Sequence, residues 1–161
     1  MTNTADELAH PEARRLLAEA SLLRLGYDGL DGTPRVIPIG FLWDAGRIVV
    51  CTATSSPKVR ALARRPQVAA TIDEGSTPTD AKALLIRGTA VLETVDGVPR
   101  EYVDAARKVL EPAQMPDFEE AVTATYSQMV RISITPRWAR FYDFGDGRLP
   151  GYLQRLVEQA G

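Results

Sequence analysis

Apolar and polar residues alternate along most of the chain, and this pattern predicts a protein built mainly from strands. Period-two segments bounded by turn residues such as Asp44-Ala45-Gly46 predict strands over 22–27, 34–43, 47–52, 68–73, 83–94, 129–135 and 137–144. The first three are expected to form an antiparallel meander. The fold class predicted is a mainly β protein, a β-barrel of about six or seven antiparallel strands with flanking helices.

Helical spacing interrupts this pattern in five places, at 6–19, 56–65, 99–110, 116–128 and 152–159. The second of these has Ser56 as its capping residue and Pro57 at its first helical position. Gly88 lies inside a predicted strand and indicates a bend or a bulge there. No repeat or long linker divides the chain, so we expect a single domain over 1–161, with a core over about 8–144 and a tail over 145–161.

Composition excludes several classes of function. Among the 161 residues, 19 are Lys or Arg and 21 are Asp or Glu, and this balance provides no attraction to nucleic acid or acidic lipid. With Cys51 and His10 as the only residues of their types, we expect neither an internal disulfide nor the usual metal sites. No apolar run approaches the roughly 20 residues of a membrane span. A cytoplasmic, metal-free protein is therefore expected.

Candidate chemistry is concentrated between the third predicted strand and the helix that follows it. Residues 52–58 combine four hydroxyl side chains with the ammonium of Lys58 at the start of that helix. Helix-start amides carry partial positive charge, so hydroxyls and a lysine beside them suit a phosphate group. The alternative is that Ser56 only caps the helix while Lys58 is solvated, and the sequence leaves both open.

Two further segments carry weaker signals. Pro38 interrupts the β-branched run 35–39, which indicates an edge strand or a bulge whose backbone is free to face a planar ring. Near the C-terminus, period two places Trp138, Arg140 and Tyr142 on one face of a strand. An indole beside a guanidinium can stack on a ring and pair with a phosphate, although packing in a core or a dimer interface explains these residues equally well.

The order of these motifs resembles the FMN-binding split-barrel family related to pyridoxamine 5'-phosphate oxidase, including its F420-dependent relatives. The resemblance covers about residues 8–144 and is strongest at 34–38, 43–48, 52–58 and 62–68. It implies a homodimer in which the strand over 35–38 lies along the cofactor ring and residues of 52–58 hold the phosphate, while residues near 138–140 reach the cofactor of the neighbouring subunit. The cofactor-binding residues so implied are Arg35, Val36, Ile37, Pro38, Thr52, Ser55, Ser56, Lys58, Trp138 and Arg140.

The sequence also departs from that family. Pro57 stands where the oxidase has an arginine before its lysine, and the C-terminal tail lacks the arginine-histidine substrate arm. Pyridoxal phosphate synthesis is therefore not expected. The resemblance implies an oxidoreductase acting on a small organic substrate, with FMN as its cofactor or F420 as the alternative, and no catalytic acid is evident. Two other functions stay open: a non-catalytic protein that stores or senses flavin or haem, and a cofactor-free dimeric scaffold.

Overall fold

The computed structural model of the protein describes residues 3–160 and shows one seven-stranded antiparallel sheet in that range. Its strands are β1 (Leu22–Asp28), β2 (Pro34–Gly40), β3 (Leu42–Asp44), β4 (Arg47–Ala53), β5 (Gln67–Glu74), β6 (Lys82–Asp96) and β7 (Gln128–Asp143). Their order across the sheet is β2-β1-β5-β6-β7-β4-β3. The predicted fold class is confirmed: the protein is mostly β with flanking helices, consistent with a split barrel whose sheet is not closed.

The helices are α1 (Thr4–Ala9), α2 (Pro11–Glu19), α3 (Pro57–Arg64), α4 (Arg100–Ala106), α5 (Met115–Thr125) and α6 (Gly151–Ala160). The single helix predicted over 6–19 is instead two helices. Pro11 disfavours a helical conformation at the preceding His10, whose Nδ1 accepts a hydrogen bond from the Glu12 amide and begins α2. Within 3–160, none of the helices has the length and apolar character needed to cross a lipid bilayer.

The sheet curls so that its two edge strands approach each other at one end. Edge strands β2 and β3 are consecutive in the chain and are joined by Phe41, whose side chain is fully buried. The continuous strand predicted over 34–43 is therefore wrong, because the chain leaves one edge of the sheet at Phe41 and enters the other. The predicted meander is therefore confirmed in its two hairpins, β1 with β2 and β3 with β4, but these hairpins lie at opposite edges of the sheet, and β4 pairs with β7 on its other side.

Two tight features shape the sheet as the sequence predicts. The turn between β3 and β4 has positive φ angles at Ala45 (48°) and Gly46 (76°), as two-residue hairpins require. The register of β6 against β7 shifts between Arg87 and Gly88, which confirms the predicted irregularity. A Cβ at Gly88 would lie 2.6 Å from the carbonyl oxygen of Thr135, so only glycine fits this approach.

The core lies inside the curled sheet and is closed by helices. Inward-facing side chains of successive strands fill it, among them Leu23, Leu25, Ile48, Ile72, Ile86 and Phe141, together with Leu16 and Leu17 of α2 and Leu62 of α3. A smaller cluster of Val49, Cys51 and Met129 lies on the opposite face of β4 and β7, beneath Tyr102 of α4 and Tyr126. Helices α4 and α5 therefore cover an outer face of the sheet and not its interior.

Candidate functional site

Lys58 lies in the first turn of α3 and is held by hydroxyl groups. Its Nζ donates to Ser56 Oγ at 2.7 Å and to Thr52 Oγ1 at 3.1 Å. Thr52 is near the end of β4 and Ser56 directly precedes α3, so the strand-to-helix connection itself brings these three residues together. Ser55 is exposed in the same connection.

The electrostatic surroundings of Lys58 are unfavourable for an ammonium. Burial lowers the pKa of Lys58 below its ordinary value. The side chain is half-buried, and within the described residues no carboxylate forms an ion pair with it. The positive end of the α3 dipole adds to this cost. The arrangement therefore has an excess of positive charge that an anion would balance.

Ser56 does not act as the simple helix cap that the sequence also allowed. Its side chain makes no hydrogen bond to the backbone amides of α3 and instead accepts from Lys58. Pro57 has no N–H, so the amide of Lys58 is a donor at the start of the helix. Hydroxyls, a backbone amide and an ammonium thus converge on one place, as a phosphate requires.

Strand β2 is confirmed as an edge strand, since its hydrogen-bonded neighbour is β1 alone. Val36 and Pro38 are exposed on its outer face, and Val36 is 70% exposed. Ile37 points the other way and packs against the core. Arg35 turns towards the β1–β2 hairpin, where its Nη2 donates to Asp31 at 2.9 Å. The four predicted ring-contacting residues therefore present different faces.

A cavity of about 620 Å³ lies beside the edge strand. Pro38 of β2 and Thr52 of β4 both line it, whereas Ser55, Ser56 and Lys58 lie outside its lining. Arg35 and Pro57 border a second, smaller cavity of about 260 Å³, which places Arg35 close to the start of α3. The structure therefore brings the predicted residues of β2 near those of 52–58.

Trp138 and Arg140 lie far from Lys58 within one copy of the chain. On β7, Val130 pairs with Thr52, and Trp138 is eight residues further along the strand. At about 3.3 Å per residue this is roughly 26 Å of strand. Instead, the guanidinium carbon of Arg87 lies over the Trp138 indole, 4.3 Å from the centroid of the ring. Along β7, Trp138 and Arg140 are thus well separated from the level of Thr52.

Arg140 already has a carboxylate partner, Glu7 of α1. Its Nη1 lies 3.4 Å from Glu7 Oε1, while Glu7 Oε2 accepts from Arg148 and from the Phe141 amide, both at 2.7 Å. Burial raises the pKa of Glu7, but these bonds outweigh it and the pKa lies below its ordinary value. Glu7 thus ties α1, β7 and the segment before α6 together, and the proposed cofactor role of Arg140 stays a prediction.

The sequence did not indicate the other wall of the large cavity. Three aromatic residues, Tyr102, Phe118 and Tyr126, form it with Glu101, which pairs with Arg131 of β7. Residues 101–126 come from one stretch of helices, but Arg131 joins them only through the tertiary fold. Charged and aromatic residues on helices are common, so their sequence carries no distinctive signal.

Cys51 also lines this cavity but is not reactive. Burial, followed by the nearby charge of Glu101, raises the pKa of its thiol to about 12. At neutral pH the sulfur is therefore a protonated thiol, which is a poor nucleophile. Cys51 instead packs in the small cluster on β4.

Comparison with known proteins agrees with this architecture. The conserved hypothetical protein Rv2991 from Mycobacterium tuberculosis is 21% identical over 92% of this chain and 94% of that chain, with a TM-score of 0.67. An F420 reductase is 22% identical over 79% and 94%, with a TM-score of 0.55. The haem storage protein HutZ from Vibrio cholerae is 18% identical over 83% and 93%, with a TM-score of 0.56. These likenesses show the fold.

The family itself is shown by a match over most of the chain. The family model described as pyridoxamine 5'-phosphate oxidase matches residues 9–140, close to the range over which the motifs resemble that family. No curated protein matches the sequence. The edge strand with Pro38, the connection to Lys58 and all of the sheet except the last three residues of β7 lie within the matched range. The chain therefore belongs to the pyridoxamine 5'-phosphate oxidase family of flavin-binding split-barrel proteins.

Proposed function

We propose that this protein is an oxidoreductase that uses FMN, or alternatively F420, to reduce or oxidise a small organic substrate. The observation that carries the proposal is the state of Lys58: a half-buried ammonium at a helix start, contacted by two hydroxyls and paired with no carboxylate in the described part of the chain. A phosphate or phosphodiester group is the partner that this arrangement lacks.

The residues present fit such a cofactor. Lys58, Ser56 and Thr52 would hold the phosphate, with Ser55 exposed beside them. The outer face of β2, at Val36 and Pro38, would lie along the ring. A flavin or deazaflavin, when bound, supplies the hydride-transfer chemistry itself. The protein's part is to bind, orient and shield it, and no side chain near Lys58 stands out as a proton donor.

The large cavity supports a substrate of modest size. Its volume of about 620 Å³ lies within the range of small-molecule sites, and it opens between the proposed ring strand and Thr52. Two proteins of similar fold are an F420 reductase and a haem storage protein. The cofactor is therefore the first point to establish.

We further propose that the working unit is a homodimer. Trp138 and Arg140 lie roughly 26 Å or more of strand from the level of Thr52, and a second copy of the chain would place them beside the cofactor of the first. Apolar side chains on exposed parts of the sheet, including Leu22, Val36 and Val91, are 50% to 70% exposed and would be covered by a partner. Sedimentation of a concentration-independent monomer would contradict this.

An absorption spectrum of the purified protein, alone and after addition of FMN or F420 and removal of the excess, tests the cofactor proposal. The expected result is a protein-bound flavin or deazaflavin spectrum at one cofactor per chain. Retention of haem but of neither flavin would overturn the proposal in favour of a haem-binding protein. Retention of no cofactor would favour a scaffold.

A further inference from the structure

Phosphate binding at Lys58 does not explain one wall of the 620 Å³ cavity. That wall is aromatic: the ring centroids of Tyr102 and Phe118 lie 6.0 Å apart at an interplanar angle of 23°, and those of Tyr102 and Tyr126 lie 6.3 Å apart at 77°. Ala105 and Ala106 of α4 leave space beside these rings. We call this part of the cavity, bordered by Ala105, Ala106 and the three aromatic residues, the aromatic chamber.

Charge in the cavity is restricted to one carboxylate. Of the described residues that line it, only Glu101 is formally charged, and Arg131 approaches both of its carboxylate oxygens at 3.1 Å. Arg131 also donates to Glu93 at 2.9 Å, so one guanidinium faces two carboxylates and the group carries a net negative charge. An anionic ligand would meet this charge without a free cation to balance it.

Glu101 stays ionised although it is largely removed from water. Burial raises its pKa, but its own backbone amide and Arg131 more than offset this effect, so the pKa lies below its ordinary value. Apolar and aromatic groups dominate the remaining lining, which includes Val49, Met129 and the buried thiol of Cys51. Such a lining favours ligands that lose little hydration on entry.

We infer that the aromatic chamber binds a neutral, ring-bearing apolar small molecule and discriminates against anions, and that this molecule is the substrate of the proposed oxidoreductase. The inference rests on the proposed function only in calling the ligand a substrate. The ring packs against Tyr102, Phe118 and Tyr126, and the paired Glu101 repels negative groups. Phosphate recognition at Lys58 and ring recognition in the chamber are thereby separated within one site.

A matched pair of fluorescent probes tests the ligand class without any cofactor. N-phenyl-1-naphthylamine is neutral, and 1-anilinonaphthalene-8-sulfonate has the same ring system with one sulfonate added. Titration of the full chain is expected to show saturable binding of the neutral probe at one per chain and binding of the anionic probe at least ten-fold weaker. Equal or tighter binding of the anionic probe, or no saturable binding of the neutral one, overturns the inference.

Variants locate the binding. Ala105→Phe places a ring in the chamber and is expected to lower the affinity for the neutral probe at least ten-fold. Ala63→Phe, at an exposed position of α3, is expected to leave that affinity unchanged. If circular dichroism shows that Ala105→Phe does not fold, Ala106→Leu provides the smaller obstruction at the adjoining position. Unchanged affinity in a folded chamber variant overturns the inference. Glu101→Gln is expected to reduce the difference in affinity between the neutral and the anionic probe several-fold.

Titration with FMN and F420 separates this inference from the proposed function. The neutral probe is expected to bind the cofactor-loaded protein with unchanged stoichiometry. Displacement of the probe by FMN or F420, one for one, would show that the chamber receives the cofactor ring and would overturn the inference while leaving the proposed function standing. Probe binding as expected with neither cofactor bound would overturn the proposed function and leave the ligand class of the chamber supported.

Discussion

Two half-buried lysines of this protein, Lys58 and Lys108, have similar burial but opposite surroundings. Burial lowers the pKa of both below the ordinary value, and neither is ion-paired with a carboxylate in residues 3–160. Lys108 Nζ donates to the Ala20 carbonyl at 3.2 Å and lies 4.0 Å from the ring centroid of Phe41. Ala20 ends α2, so Lys108 meets the negative end of a helix dipole.

Lys58 lies at the positive end of a helix dipole and has only hydroxyl oxygens as partners. The fold itself therefore supplies the Lys108 ammonium with a carbonyl acceptor and an aromatic ring, and Lys108 covers Phe41, where the two sheet edges approach each other. It supplies the Lys58 ammonium with hydroxyl acceptors alone. The difference indicates that Lys108 serves stability and that Lys58 serves a ligand, since functional groups are often placed in surroundings that the fold alone does not favour.

The largest effect is expected from Lys58→Ala on cofactor binding. A charge-assisted contact with phosphate is worth about 1.5 to 3 kcal/mol, so FMN affinity should fall roughly 10- to 150-fold. Lys108→Ala, the matched control, should leave FMN affinity unchanged in folded protein. Calorimetric titration of both variants measures this, and equal losses in the two would remove the distinction between the lysines.

For the free energy of unfolding, we expect the larger loss at Lys108 and not at Lys58. Lys108→Met removes the hydrogen bond to Ala20 and the contact with the Phe41 ring, and is expected to lower the free energy of unfolding by about 1 to 2 kcal/mol. Lys58→Met removes a cation from a helix start and should raise it by about 0.3 to 1 kcal/mol. Urea unfolding of the cofactor-free proteins gives both values. A large loss of stability in Lys58→Met would assign Lys58 a structural role.

A smaller effect is expected at Arg140, which already pairs with Glu7. If a second copy brings Arg140 to the cofactor, Arg140→Ala should weaken FMN binding by about 0.5 to 1 kcal/mol, or roughly two- to five-fold, because the guanidinium is shared. Sedimentation should show the dimer intact. Unchanged FMN affinity would show that Arg140 pairs with Glu7 and does not contact the cofactor. The homodimer would then not be needed to bring Arg140 to the cofactor.

The pH dependence of binding provides the finest distinction. The pKa of Lys58 lies below its usual 10.5, so the folded chain binds fewer protons than the unfolded chain between the lowered pKa and 10.5, and stability rises with pH across that window. Phosphate needs the ammonium, so FMN affinity should fall as pH rises through the same window. Lys58→Arg stays charged there, and its FMN affinity should change less. Parallel pH profiles for the two proteins would contradict the contact.

Whether a feature of the fold can be predicted from the sequence depends on how far apart its residues lie along the chain. Alternation along β1, β5 and β6 and the apolar run of β4 are local, and turn residues such as Gly46 mark the ends of strands, so these elements follow from the sequence. The break at Phe41 does not, because its burial results from the curling of the whole sheet. The pairing of β4 with β7 likewise joins segments about eighty residues apart.

The same rule applies to the site. Thr52, Ser56 and Lys58 lie within seven residues, so their convergence was expected from the strand and helix they connect. The aromatic chamber and the Glu101–Arg131 pair are assembled by packing α4 and α5 on the outer face of the sheet, and no local pattern in the sequence predicts them. Lys108 was missed for the same reason: its two partners, Ala20 and Phe41, come from distant parts of the chain.

Phosphate recognition by Lys58 and its hydroxyl partners is measured by calorimetric titration of the unmodified protein with FMN and with riboflavin, which has the same ring but no phosphate. FMN is expected to bind tighter by roughly 10- to 150-fold, the equivalent of about 1.5 to 3 kcal/mol. If FMN does not bind, the same comparison of F420 with its phosphate-free deazaflavin core should show this preference. Equal affinities with and without phosphate, or no binding in either pair, would contradict phosphate recognition at Lys58.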